Sequence, residues 1–209
     1  MNVNFSYVDL SILNAELRHK EPFEIIRWAI NSSKRPILTT NFGPYSASLI
    51  HAVNSVKKDI EVVWVDTGYN TPHTYRYANK LINRFKLNMK IFVPKTTTAY
   101  RDVVFGIPEV GTEAHQHFTN EVKIEPFRRA LSKISPDVWF TNIRKCQTEH
   151  RNSLDIVTMT KEGIIKISPF FYWNDTQIEL YLKANELPNE FKYFDPTKVF
   201  LHRECGIHL

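Results

Sequence analysis

Cysteine is nearly absent: the 209 residues contain two, Cys146 and Cys205. That is too few for a disulfide framework, and no pair stands at C-x-x-C spacing, so a four-cysteine zinc or iron–sulfur site within one chain is excluded. No apolar run approaches the ~20 residues needed to span a bilayer. The opening Met1-Asn2-Val3-Asn4-Phe5-Ser6 lacks a basic stretch followed by an apolar one. Neither a membrane span nor a secretory signal is therefore expected, and the cytoplasm is the expected location. Long basic runs are missing too, although the formal net charge is +5. Scattered cations fit an anionic small molecule better than a nucleic-acid groove.

Hydrophobic residues make up 43% of the chain and aromatics 13%, enough for one substantial core. The expected organisation is an α/β body over residues 1–190 and a functional tail over 191–209. After a helical segment from Pro22 to Ile30, the apolar run Arg35–Thr40 reads as a buried strand. It ends in Asn41-Phe42-Gly43-Pro44, after which Tyr45, Leu49, Ile50 and Val53 recur at helical spacing. Glu61–Val65 repeats the pattern, with a turn at Asp66–Tyr69 and a helix opened by Thr71-Pro72. Lys90–Val93 is a third strand, residues 96–121 read as short helices in a mobile connection, and Glu125-Pro126 opens a helix through Ile134. Asp137–Thr141 and Ile164–Ile167 complete the strands, and Asn174–Gln177 has capping-box spacing for a helix to Ala184. Strands alternating with helices predict a doubly wound, mainly parallel sheet, with ligands outside the carboxyl ends of its strands.

The loops at those ends carry the polar chemistry. Thr39, Thr40, Asn41, Phe42 and Gly43 lead into a helix N-terminus, which suits an anion, although such loops also occur as plain connections and Pro44 removes one N–H. Asp66, beside Thr67 and Gly68, has two readings: a ligand for a ribose or purine group, or the residue that closes its own turn. Arg144, Lys145 and Gln147, with Arg151 following, gather positive charge directly after a strand, for anion binding or as a solvated basic turn. His115 and His117 could chelate from one strand face, yet no third ligand is obvious, so no metal is assigned. Cys146 reads as a small, partly buried residue or as a disulfide partner for Cys205.

The terminal Glu204-Cys205-Gly206-Ile207-His208-Leu209 places a thiol beside Arg203, His202 and His208, groups that favour a thiolate. An accidental cysteine in an unstructured tail is the other reading of these six residues alone.

Together these segments resemble the sulfonucleotide reductases, specifically the thioredoxin-dependent 3′-phosphoadenylyl sulfate (PAPS) reductases of the adenine-nucleotide hydrolase-like (PP-loop) superfamily. The resemblance runs from about Trp28 to the C-terminus. It rests on Thr39–Gly43, on Val65–Tyr69 with Pro72 and Thr74-Tyr75-Arg76, on Lys123-Ile124-Glu125-Pro126 with Arg129-Ala130-Leu131, on Trp139-Phe140 leading to Ile143-Arg144, Gln147 and Arg151, and on Glu204–His208. It implies that Cys205 attacks the sulfur of PAPS, expels adenosine 3′,5′-bisphosphate, and is discharged as sulfite by reduced thioredoxin or glutaredoxin without an iron–sulfur cluster. Lys123, Arg144, Lys145 and Arg151 would then offset the substrate's negative charge, and many relatives are homodimers. A nonenzymatic nucleotide-binding protein and an ATP pyrophosphatase-type enzyme are the competing classes; the second predicts a fuller Ser-Gly-Gly loop and leaves Cys205 without a role. The chain departs from the family in Pro44 and Tyr45, in Cys146 where an acidic residue is common, in a short N-terminal region, and in a short segment between Tyr181 and the terminal motif that lacks the usual histidine-threonine-threonine stretch.

Overall fold

A computed structural model describes residues 9–197, so Cys205 and His208 lie outside the described residues. Six strands form one sheet in the order β3-β2-β1-β4-β6-β5: β1 (Pro36–Thr39), β2 (Glu61–Val65), β3 (Asn88–Phe92), β4 (Val138–Phe140), β5 (Val157–Met159) and β6 (Ile165–Ile167). All neighbours are parallel except β5 with β6. The central strands β1, β2 and β4 read as apolar runs because both their faces are covered. Leu38, Val62, Trp64 and Phe140 point to one core, and Ile37, Val63, Phe92 and Trp139 to the other. The larger core is closed by helices α2 (Pro22–Ser32), α3 (Ser46–Val56), α4 (Pro72–Phe85) and α8 (Asp175–Ala184), and the smaller by α7 (Glu125–Ile134).

Local chemistry sets the helix starts. Thr71 accepts from the Thr74 N–H at 3.1 Å ahead of Pro72, and Asn174 and Gln177 form a reciprocal capping box. The connection after β3 contains α5 (Thr98–Val104) and α6 (Glu113–Thr119), each capped by a threonine hydroxyl. Helix α7 runs from Glu125 to Ile134, the bounds expected from the sequence; ahead of it, a π-helical turn over Asn120–Ile124 joins it to α6 with helical backbone on either side. Pro126 has no N–H, and its ring crowds the carbonyl four residues back, so the helix widens ahead of it. His115 and His117 therefore lie on a helix, about 200° apart around its axis, and cannot chelate as alternate residues of a strand.

Two elements escape the pattern of the sequence. Strand β5 is three residues long, too short for a period, and α1 (Leu10–Leu17) packs along it. The buried Asn14 amide donates to the Val157 carbonyl at 2.9 Å and accepts from the Val157 N–H at 2.8 Å, so a side chain stands in for the next strand at this edge.

At the start of β1, Asp137 accepts from the Ser33 hydroxyl and from the backbone N–H groups of Lys34 and Arg35, at 2.6 and 2.9 Å for the last two. Burial alone would raise this carboxyl, but the three donors outweigh it and hold its pKa below the usual value. Asp137→Ala is expected to cost about 2 kcal/mol in urea denaturation at neutral pH. A group with a depressed folded pKa stabilises above its unfolded pKa and loses that contribution as the pH falls through the folded value. The difference between wild type and variant should thus narrow well below the ordinary aspartate pKa of 3.8.

Candidate active site

The chain lays down β1, β2 and β3 outward in one direction and then returns to place β4 on the opposite side of β1. The connections leaving β1 and β4 diverge there, at the topological switch point where open α/β sheets bind ligands. The loops singled out in the sequence after these two strands, residues 39–46 and 141–147, leave the sheet at this point, and Asn142 Nδ2 joins them by donating to the Tyr45 carbonyl at 3.1 Å.

In the first loop the Thr39 hydroxyl accepts from Trp139 Nε1 at 2.7 Å, which ties β1 to β4. Thr40 Oγ1 accepts from the Phe42 N–H and Asn41 Oδ1 from the Gly43 N–H. Phe42 and Tyr45 both adopt left-handed backbone, with φ of 50° and 63°. Two bulky residues in that region within four positions mark a constrained loop of the kind found at ligand sites. Phe42 is held because its ring is fully buried, edge-on to Trp64. Tyr45 lies against the Arg144 guanidinium at 5.1 Å, meets Phe191 edge-on and donates from its hydroxyl to Glu179. Burial and that hydrogen bond push the phenol to about 12, so it remains a neutral donor at physiological pH.

After β2, Asp66 Oδ1 accepts from the Gly68 N–H, Asn70 Nδ2 and the Tyr75 hydroxyl, at 2.8 to 3.0 Å. Of its two readings, the turn-closing one is satisfied by these contacts, all made by a single oxygen. Thr67 is buried and accepts from the Tyr69 N–H.

After β4, Arg144 is 1% exposed, so of its two readings the solvated basic turn does not describe it. Its Nη2 pairs with Asp175 at 2.7 Å and its Nη1 lies 3.6 Å from Cys146 Sγ. Arg144 Nε and Asn142 Oδ1 are buried without a hydrogen-bond partner among the described residues. Unsatisfied polar atoms of opposite character in a loop at the switch point are what a polar ligand would complete. Lys145 is exposed, with its ammonium over the Tyr172 ring, while Gln147 accepts from the Arg144 N–H and from Arg151. Cys146 is exposed rather than partly buried, because its short 3₁₀ turn faces outward.

Residues 188–197 form a strap over the loops of β1 and β2. Asn189 Oδ1 accepts from the Tyr45 N–H at 2.7 Å, Asn41 donates to the Tyr193 hydroxyl at 2.9 Å, and Thr71 donates to the Lys192 carbonyl at 2.7 Å. At its far end Lys123, in the π-helical turn, pairs with Asp195 and donates to Thr197 Oγ1 at 3.1 Å. Burial would raise the Asp195 carboxyl, but the Lys123 charge and the Lys123 and Thr197 hydrogen bonds outweigh it and keep the pKa low. Lys123, expected to face substrate, thus has its ammonium on the chain's own strap. The sequence reading missed Asn142, Asn189, Tyr193 and Asp195 as site residues. Only Asn142 carried a signal, its place in a loop after a strand.

Gly68 has φ of +80°, and a Cβ there would collide with the Thr98 hydroxyl at the start of α5. Gly68→Ala is expected to cost about 1–3 kcal/mol, read from the denaturation midpoint. Adding Thr98→Ala should return only the steric part of that loss, since the backbone strain persists.

The family model of the phosphoadenosine phosphosulfate reductase domain matches residues 35–194. The phosphoadenosine 5′-phosphosulfate reductase of Xanthomonas oryzae pathovar oryzae is 34% identical over 224 aligned positions, covering 96% of this chain and 92% of that protein. Among solved structures, the PAPS reductase of Candida auris in its phosphate complex superposes with a TM-score of 0.78 at 24% identity, over 90% of this chain and 91% of that one. The FMN adenylyltransferase of Candida glabrata, bound to FMN and an ATP analogue, shares the fold more distantly, with a TM-score of 0.55 at 12% identity over 80% of this chain and 56% of that one.

Proposed function

The chain belongs to the phosphoadenosine phosphosulfate reductase family, and we propose that it reduces PAPS to sulfite and adenosine 3′,5′-bisphosphate, with Cys205 as nucleophile. The observation that carries this reading is the strap. Its last described residue, Thr197, is fixed by Lys123 and Asp195, which Tyr193 links to Asn41 of the first loop, and the stretch from Thr197 to Cys205 reaches at most about 28 Å when extended. A cysteine on such a tether is within range of a nucleotide held at the carboxyl ends of β1 and β4.

In the proposed scheme the nucleotide's anionic groups meet the loop of Thr39, Thr40, Asn41, Phe42 and Gly43 at the α3 N-terminus. The loop of Asp66, Thr67 and Gly68 borders the nucleoside. The Cys205 thiolate attacks the sulfuryl sulfur, an S–S bond forms, and the S–O bond to the phosphate breaks, with the electron pair leaving on adenosine 3′,5′-bisphosphate. Positive charge from Arg144, Lys145 and Arg151 would stabilise the negative charge that crowds this transition state, with His208 as a further substrate-binding residue. One thiolate of reduced thioredoxin, or of a glutaredoxin, then attacks Cys205 Sγ of the S-sulfocysteine and expels sulfite. The donor's second thiol resolves the mixed disulfide, returning Cys205 as a thiolate and leaving the donor oxidised by two electrons. No iron–sulfur cluster enters the scheme, for which two cysteines would be too few. We place the reaction in the cytoplasm, in a body over residues 1–190 served by the tail from 191 onward, and we expect a homodimer. Among the described residues no helix is long and apolar enough to cross a membrane.

Replacement of Cys205 by Ser is expected to abolish thioredoxin-supported sulfite release while the affinity for adenosine 3′,5′-bisphosphate stays within about threefold, since a hydroxyl is a poor nucleophile at neutral pH. Sulfite release that survives the change would remove Cys205 from the chemistry. Tight nucleotide binding by a wild-type protein without turnover would favour a nonenzymatic nucleotide-binding role.

A further inference from the structure

Lys123 and Asp195 form a buried ion pair, with side chains 10% and 4% exposed. Asp195 does more than neutralise that lysine. Its Oδ1 accepts from the Thr197 N–H at 3.1 Å and from the Thr197 hydroxyl at 2.6 Å, which turns the strap back on itself. Its Oδ2 accepts from the Tyr193 hydroxyl at 3.3 Å, and Tyr193 in turn accepts from Asn41 Nδ2 at 2.9 Å. The next carbonyl, that of Pro196, lies 3.0 Å from His115 Nε2 on α6. Asn41 also caps the Gly43 N–H of the first loop. A continuous hydrogen-bonded path therefore runs from that loop through Tyr193 to Asp195, which joins it both to Lys123 and to Thr197, the last described residue.

We propose that Asp195 is a positioning residue for the transfer step, rooting the tail that carries Cys205 on the same loop that receives the substrate's anionic groups. This rests on the reading of Cys205 as the nucleophile. Lys123 acts here as the anchor of the strap. Because one carboxylate receives Tyr193, Thr197 and Lys123 together, it couples the loop at Asn41 directly to Thr197. The short segment after Tyr181 makes such a fixed root more important, since few residues remain in which a misdirected tail could correct its course.

The test is a single-turnover measurement of S-sulfonation of Cys205 by PAPS without thioredoxin, alongside the dissociation constant for adenosine 3′,5′-bisphosphate. Asp195→Asn keeps the shape and removes the charge. It is expected to slow sulfonation about 100-fold, the scale of an ångström-level misplacement of a reacting group, with nucleotide affinity changed less than about threefold. Alkylation of Cys205 by iodoacetamide should proceed at the wild-type rate, because the thiol's intrinsic reactivity is untouched. Asp195→Glu should recover part of the lost rate by restoring the charge. Tyr193→Phe removes only the bridging hydroxyl, and should slow sulfonation with affinity and alkylation unchanged even if Asp195→Asn does not fold. Wild-type rates of sulfonation in Asp195→Asn, or in Tyr193→Phe if Asp195→Asn does not fold, would overturn the proposal. So would a parallel loss of nucleotide affinity, which would place the pair within the nucleotide site itself. A wild-type protein that binds the nucleotide without forming the adduct would instead sink the nucleophile reading and this proposal with it.

Discussion

The pairing of β4 with β1 on the side away from β2 is the constraint from which the rest of the molecule follows. Pro36, Ile37 and Leu38 register against Val138, Trp139 and Phe140, and the Trp139 indole reaches across to the Thr39 hydroxyl at the strand end. Because the chain reverses its direction of travel across the sheet at this pair, its two exit loops meet at the topological switch point, where open α/β sheets bind ligands, with Arg144 of one on Tyr45 of the other. The location of the candidate site is thus set by topology, and the side chains of the two loops decide what it can hold.

Charge in this region is managed by burial and pairing more than by exposure. Arg144 is stacked on Tyr45 and joined to Asp175, and Lys123 is enclosed with Asp195. A buried cation without a partner would be strongly destabilising, so each has its own carboxylate. The arrangement leaves Arg144 Nε and Asn142 Oδ1 as buried polar atoms in the loop after β4, and it holds the strap against the loops after β1 and β2. In the proposed scheme the strap links those loops to the segment that carries Cys205.

Much of this was legible in the sequence, for identifiable reasons. Strands β1 and β2 are buried on both faces and appear as unbroken apolar runs, and Thr71-Pro72 and Asn174–Gln177 state their helix starts through capping chemistry. The loops after the strands were found by position, and their polar residues by type. What escaped was either too short or too distant. Strand β5 has no room for a period, and the π-helical turn is a response to Pro126 that no local pattern announces. Asp195 and Lys123 are 72 residues apart, and nothing in Phe194-Asp195-Pro196-Thr197 indicates which lysine it meets. The left-handed backbone of Tyr45 was equally hidden, because such a conformation is read from glycine or asparagine and not from a tyrosine held by Arg144, Asn189 and Phe191.

The most direct measurement is intact-protein mass spectrometry of the reduced chain mixed with PAPS in the absence of any thiol donor, followed by peptide mapping. The account predicts a single sulfonate adduct on the peptide containing Cys205, released as sulfite when reduced thioredoxin is added. An adduct confined to Cys146, or none on folded protein that binds the nucleotide, would contradict it.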